Sequence, residues 1–182
     1  MGYPYYYFVA SLPSLDFDQS VSLLYPDFLE EARRHLSAGD FHFLTMATLD
    51  YDALVAPHPT LQVLADLNRR LKNEIALFRC KTLSRDSADF FRGDHYMPGE
   101  ISESVAQAAK MVNPLEAQKA LDLFRWKKFE ELSSGHSFDL DVIIVYGLKL
   151  QILDRHHELA SAKGQEKFAH YKDVEIFENI HL

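Results

Sequence analysis

The chain has 182 residues, of which 47% are hydrophobic, with only 7 glycines and 7 prolines; this excludes a disordered tail and suits one domain with a substantial core. Its 27 acidic and 19 basic side chains leave a formal net charge of −8, which disfavours phosphate backbones and anionic lipid, so nucleic acid is not an expected partner. Cys80 is the single cysteine, so neither an intrachain disulfide nor a zinc-thiolate cluster is expected, and without a basic n-region and apolar h-region at its start the expected location is the cytoplasm.

In chain order, Tyr3 to Pro13 reads YPYYYFVASLP. It is expected to lie across the core as an extended or short helical segment, because a free aromatic tail is an association hazard unless packed or used as a contact. Pro26 opens a first helix bearing Phe28, Leu29, Ala32 and Leu36, with Glu30 and Glu31 early and Arg33 and Arg34 late, the charge order a helix dipole favours. Gly39 is expected to end it and Asp40 to cap a short second helix through Phe41, Leu44 and Ala47.

Pro57 and Pro59 precede a third helix, from about Thr60 to Leu83, whose apolar stripe is Leu61, Leu64, Leu67, Leu71, Ile75 and Phe78. Its other face carries Asp66, Arg69, Arg70, Lys72, Asn73 and Glu74, with Asp66 and Arg70 at i,i+4 spacing. The pattern then fails over 84–100, an irregular link with a turn of helix around Ala88 to Phe91; Gly93, Pro98 and Gly99 make it the candidate hinge or sub-domain boundary. Ile101, Val105, Ala108 and Val112 mark a short helix. Asn113, Pro114 and Glu116 then form a cap-like start to a helix reaching about Leu132. Ala117, Leu121 and Phe124 lie on one side of that helix and Trp126 and Phe129 roughly opposite, and Gly135 permits a tight reversal.

The most apolar run, FDLDVIIVYGLKLQILDR from Phe138 to Arg155, has two adjacent helical rows, Leu140, Ile144, Leu148, Ile152 and Val142, Tyr146, Leu150, Leu153. With Ser137 as cap and no breaker before Gly164, the spacing predicts one helix of about 26 residues, roughly 39 Å long, apolar around more than half its circumference. Asp139, Asp141, Lys149, Gln151, Asp154 and Arg155 interrupt the run short of a membrane span. Gln165 to Ile180 reads as a last amphipathic helix with Phe168, Tyr171, Ile176 and Phe177. The expected fold is a single all-α domain over 1–182, an antiparallel bundle of about six helices around the long buried helix near 138–163.

No Gly-x-x-x-x-Gly-Lys loop, His-Glu-x-x-His, serine elbow or Rossmann fingerprint occurs, so no catalytic residue, cofactor site or metal site is assigned. Among the 9 histidines, His156 and His157 point about 100° apart on a helix and chelate poorly together. The spacing Glu-x-x-His occurs once, at Glu178 to His181. A small-molecule enzyme or metal-binding bundle using His42, His156 or His157 is the rival reading. Arg92-Gly93-Asp94 reads as a polar turn and Cys80 as a small core side chain. Two readings fit the polar groups Arg69, Arg70, Lys72, Asn73, Glu74, Arg79, Arg125, Trp126 and Arg155: they bond one another at a bundle edge, or they form a partner interface to which Tyr5 and Tyr6 add aromatic contact.

The opening YYYFVASLPSL, the middle LKNEIALFR and the run RWKKFEEL followed by GHSFDLDVIIVYGLKLQILDR together resemble a family of bacterial proteins encoded within V-type ATP synthase operons. The resemblance implies a counterpart of the C (or d) subunit of A/V-type ATPases, an all-helical adaptor between the membrane rotor ring and the central shaft that carries no catalytic residues. Its implied partners are those shaft and rotor-ring subunits, with the protein peripheral to a membrane complex and not inserted. That adaptor is longer, built from three similar helical lobes, of which this chain is expected to supply only part, either as a reduced adaptor or with a different place in the assembly. A free-standing assembly module that dimerises through the Tyr5 to Phe8 region is the third reading.

Overall fold

A computed structural model describes residues 5–19, 22–86, 90–92 and 99–161. Among them are seven helices and no strand: α1 (Tyr6–Ser11), α2 (Tyr25–His35), α3 (Ala38–Met46), α4 (Pro59–Thr82), α5 (Glu100–Ala108), α6 (Pro114–Ser133) and α7 (Leu140–Ala160). The protein is an all-α helical bundle, and the Val142 to Tyr146 run that composition alone would allow as a strand lies inside α7.

The bundle is organised around α7. From Leu140 to His156 none of its residues is exposed, and Ile143, Ile144, Leu148, Leu150 and Ile152 have no accessible surface. Each such side chain contributes roughly 1.5–3 kcal/mol by leaving water. The cap differs from expectation. Phe138 adopts φ +57°, which turns the chain just before the helix, so Asp139 rather than Ser137 accepts the Val142 N–H, at 3.2 Å. The expected last helix, Gln165 to Ile180, lies outside the described residues.

Neighbours reach α7 from several sides. Gly135, at φ +86°, makes the predicted reversal, and α6 returns antiparallel: Lys149 pairs with Glu130 while Arg155 pairs with Asp122, one index rising as the other falls. Gly147 admits α2 and α3, since a Cβ there would stand 3.1 Å from the Phe28 ring and 3.3 Å from a Leu44 methyl. The Gln151 amide donates to Ala47 O at 2.8 Å and accepts from Leu49 N–H at 3.2 Å, fixing the chain that leaves α3. The N-terminal segment is helical and does cross the core: Phe8 is buried, Tyr5 N–H donates to Phe138 O at 3.2 Å, and Tyr146 donates its hydroxyl to Pro13 O at 2.9 Å. Burial pushes the Tyr146 hydroxyl up to about 12, so it remains a donor.

Elsewhere the boundaries move by a few residues for local reasons. α2 ends before Leu36, and Ser37 supplies the acceptor for Asp40 N–H at 3.1 Å, so Gly39 and Asp40 lie in the first turn of α3 instead of separating the two helices. Asn113 caps α6 by accepting from Leu115 N–H at 3.0 Å, as predicted. Val112, expected on the α5 stripe, is 99% exposed because α5 has already ended at Ala108. The α4 stripe buries Leu61, Leu64 and Leu71 fully, but Phe78 at its far end is 39% exposed. No described helix is long and apolar enough to cross a membrane.

Candidate functional site

The polar groups singled out in the sequence separate into two clusters and an exposed remainder. The first cluster centres on Asp122, which sequence reading missed. Asp122 lies on α6 with 0% exposure, on the same face as Arg125, Trp126 and Phe129. Its carboxylate accepts from Gln118 at 3.0 Å and from Arg125 at 3.2 Å, and it pairs with Arg155 and, at 3.1 Å, with His156 across the helix interface. A buried carboxylate is tolerable only when paired in this way. Burial lowers the Arg125 guanidinium and the Asp122 charge opposes that, leaving a net downward shift of a group that stays cationic. The Nε atoms of both Arg125 and Arg155 are buried without a hydrogen-bond partner. Two turns along, Trp126 donates to Glu130 at 2.9 Å, and Lys149 reaches the same carboxylate at 3.2 Å from above the indole ring, 4.5 Å from its centroid.

The second cluster surrounds Asp52, in the segment between α3 and α4. Lys72 at 3.3 Å, Arg92 at 3.0 Å and Arg69 at 3.8 Å converge on its carboxylate. Partial burial would push this carboxyl up, but the hydrogen bonds and charges of Lys72 and Arg92 outweigh it and hold it below the ordinary range. Arg69 also donates to Ala53 O at 3.1 Å, and Asn68 to Tyr51 O at 2.9 Å. Asn73 clasps the Arg92 backbone, donating to its carbonyl at 2.9 Å and accepting from its N–H at 3.1 Å. Residues 90–92, within the candidate hinge, are therefore held to α4; 87–89 and 93–98 lie outside the described residues. Asp66 bonds Arg69 at 3.0 Å, not Arg70 as its i,i+4 spacing suggested, because Arg69 is already turned toward the Asp52 loop.

Arg69, Lys72, Asn73, Arg125, Trp126 and Arg155 thus follow the internal-bonding reading. Tyr5 is tied down as well, its hydroxyl donated to Asp40. Arg70, Arg79 and Tyr6 are exposed, Tyr6 at 48% and resting on the Phe138 ring at 4.6 Å, with Tyr7 beside it at 85%. Cys80 is a buried free thiol, as a core side chain should be.

His42, His156 and His157 do not come together: His42 and His157 are exposed and His156 is bound to Asp122. A cavity of about 400 Å³ beside α7 is lined by Phe17, Leu24, Leu153, Lys119, His156 and His157. Among the described residues, the three-membered group with metal-type donors in reach of one another is His136, Asp139 and Asp141, in the α6–α7 turn. Sequence signals for Asp122 existed: it shares a helix face with Trp126 at i+4 and Phe129 at i+7, with Arg125 at i+3.

Residues 100–174, less than half of the chain, match a family described as "Protein of unknown function (DUF2764)". No curated protein and no solved structure matches the chain. The matched residues include α5, α6 and α7, and with them the Asp122 cluster, so this part of the chain is similar to that family.

Proposed function

We propose that the protein is a non-catalytic structural subunit associated with a V/A-type ATP synthase, a C-subunit-like adaptor held between rotor ring and shaft at the cytoplasmic face of the membrane complex. The observation that carries this reading is the double pinning of α6 to α7. Asp122 with Arg155 and His156 ties one level, and Glu130 with Lys149 ties a second, eight residues or about 12 Å along the helix. Two antiparallel helices fastened at separated levels resist sliding and transmit force, which an adaptor requires. The sequence resemblance supplies the identity of the assembly, and exposed Tyr6, Tyr7, Arg70 and Arg79 supply docking groups of the types that dominate interfaces.

Purification of the intact ATP synthase through a tagged shaft subunit tests the proposal: this chain is expected in fixed ratio to the shaft. Its absence from that preparation, with ATP synthesis unaltered after deletion of its gene, overturns it. The cavity beside His156 favours a second reading, a small-molecule binder, for which the deciding result is saturable ligand binding abolished by filling the cavity with Ala160→Trp.

A further inference from the structure

The α6–α7 turn carries a third cluster of charged groups, which neither tie between α6 and α7 uses. His136 Nδ1 lies 2.9 Å from Asp139 Oδ2 and 3.3 Å from Asp141 Oδ2, and the three ligand-type atoms all fall within 4.8 Å of one another. The other oxygen of each carboxylate is already committed. Asp139 Oδ1 accepts the Val142 N–H at 3.2 Å, and Asp141 Oδ1 accepts the hydroxyl of Thr60, a residue 4% exposed at the start of α4. Both Oδ2 atoms are thereby left converging on one imidazole nitrogen, each held by a hydrogen bond from outside the cluster, as the carboxylates of metal sites commonly are.

We propose that His136, Asp139 and Asp141 form a binding site for a divalent ion of the zinc class, which fastens the α6–α7 turn to the start of α4 through Thr60. Zinc held tetrahedrally at 2.0–2.2 Å separates nitrogen and oxygen ligands by about 3.3–3.5 Å. The 2.9 and 3.3 Å nitrogen–oxygen separations lie within tenths of an ångström of that spacing, and the two carboxylate oxygens, within 4.8 Å of each other, draw in onto the ion. Capping α7 needs Asp139 alone; it does not explain why a buried hydroxyl from another helix aims Asp141 at the same nitrogen. Two carboxylates and one neutral imidazole balance a divalent charge, and full charges in direct contact outweigh the partial positive charge at the α7 N-terminus. The fourth position falls to water, because His58 Nδ1 is 4.0 Å from Asp141 Oδ1 and already accepts the Thr60 N–H at 3.3 Å. This site is independent of the adaptor reading.

The test is calorimetric titration of chelator-treated full-length protein with zinc chloride, paralleled by cobalt(II) absorption. One saturable equivalent and the intense visible bands of tetrahedral cobalt are expected. His136→Gln, at an exposed turn position, and Asp141→Asn, which keeps the Thr60 hydrogen bond, are each expected to weaken binding about tenfold or more with unchanged circular dichroism. His42→Gln, on the exposed face of α3, is expected to leave it unaltered. No saturable binding, or an undiminished affinity in His136→Gln, overturns the site.

Discussion

Asp122 and Asp52 each gather three basic side chains, but one is sealed between α6 and α7 with no accessible surface, while the other sits on a connecting segment where its partner Arg92 is 67% exposed. The residue chemistry is nearly the same and the surroundings are not. Where water is excluded, a charge that loses its partner has nothing to replace it, so the cost of breaking the cluster exceeds the worth of keeping it. Where water has access, solvent and salt substitute for a lost partner, and the same contacts contribute little. The Asp122 cluster therefore fixes how α6 and α7 register against each other, whereas the Asp52 cluster mainly holds a loop against α4.

Removing Asp122 should produce the largest difference. Asp122→Ala strands Arg125 in the interior, leaves half-buried Arg155 without its carboxylate, and is expected to cost about 3–5 kcal/mol in urea unfolding; a loss below about 1 kcal/mol would erase the distinction between the two clusters. Double-mutant cycles sharpen it. The Asp122–Arg155 coupling is expected at roughly 2 kcal/mol, within the range for contacting buried groups, and the Asp52–Arg92 coupling below about 1 kcal/mol. A medium of 1 M salt, with a Debye length of about 3 Å, should reduce the second coupling further and leave the first.

Acid offers another contrast. The folded Asp52 carboxyl titrates below the ordinary aspartate value of 3.8, so its stabilising contribution is fully present above that value and is lost as pH falls through the lower, folded one. Asp52→Asn should flatten that part of the acid unfolding curve, and an unchanged curve would count against the Lys72 and Arg92 contacts. Smallest of all, Arg70→Glu and Tyr7→Ala should shift stability by less than about 0.5 kcal/mol, since neither side chain is buried. If these same variants still co-purify undiminished with the ATP synthase, the docking surface lies elsewhere.

Local signals were enough for the helices and for several of their ends. The 3.6-residue rows of α4 and α7, Pro59 and Pro114 at helix starts, the Asn113 cap and the Gly135 reversal depend on residues within one or two turns, so the linear order of side chains carries them. Burial of α7 over most of its length was legible too, because a rod with apolar residues over most of its circumference has no stable place at a surface. The positions of caps were less so: Ser137 and Asp139 are both acceptors, and only the Phe138 backbone turn selects between them.

Which groups each charged side chain meets depends on the tertiary structure. Arg125, Trp126 and Arg155 are residue types suited equally to an interface or an interior, and the antiparallel register that sets residue 122 opposite 155 buries Arg125 and Trp126 and leaves Arg155 half-buried against Asp122. Asp122 acquires its role from a partner 33 positions away, and Asp141 is aimed at His136 by Thr60, 81 positions away. Periodicity encodes which way a side chain faces; it does not encode what arrives to meet it, because that depends on how separate helices slide and rotate as they pack.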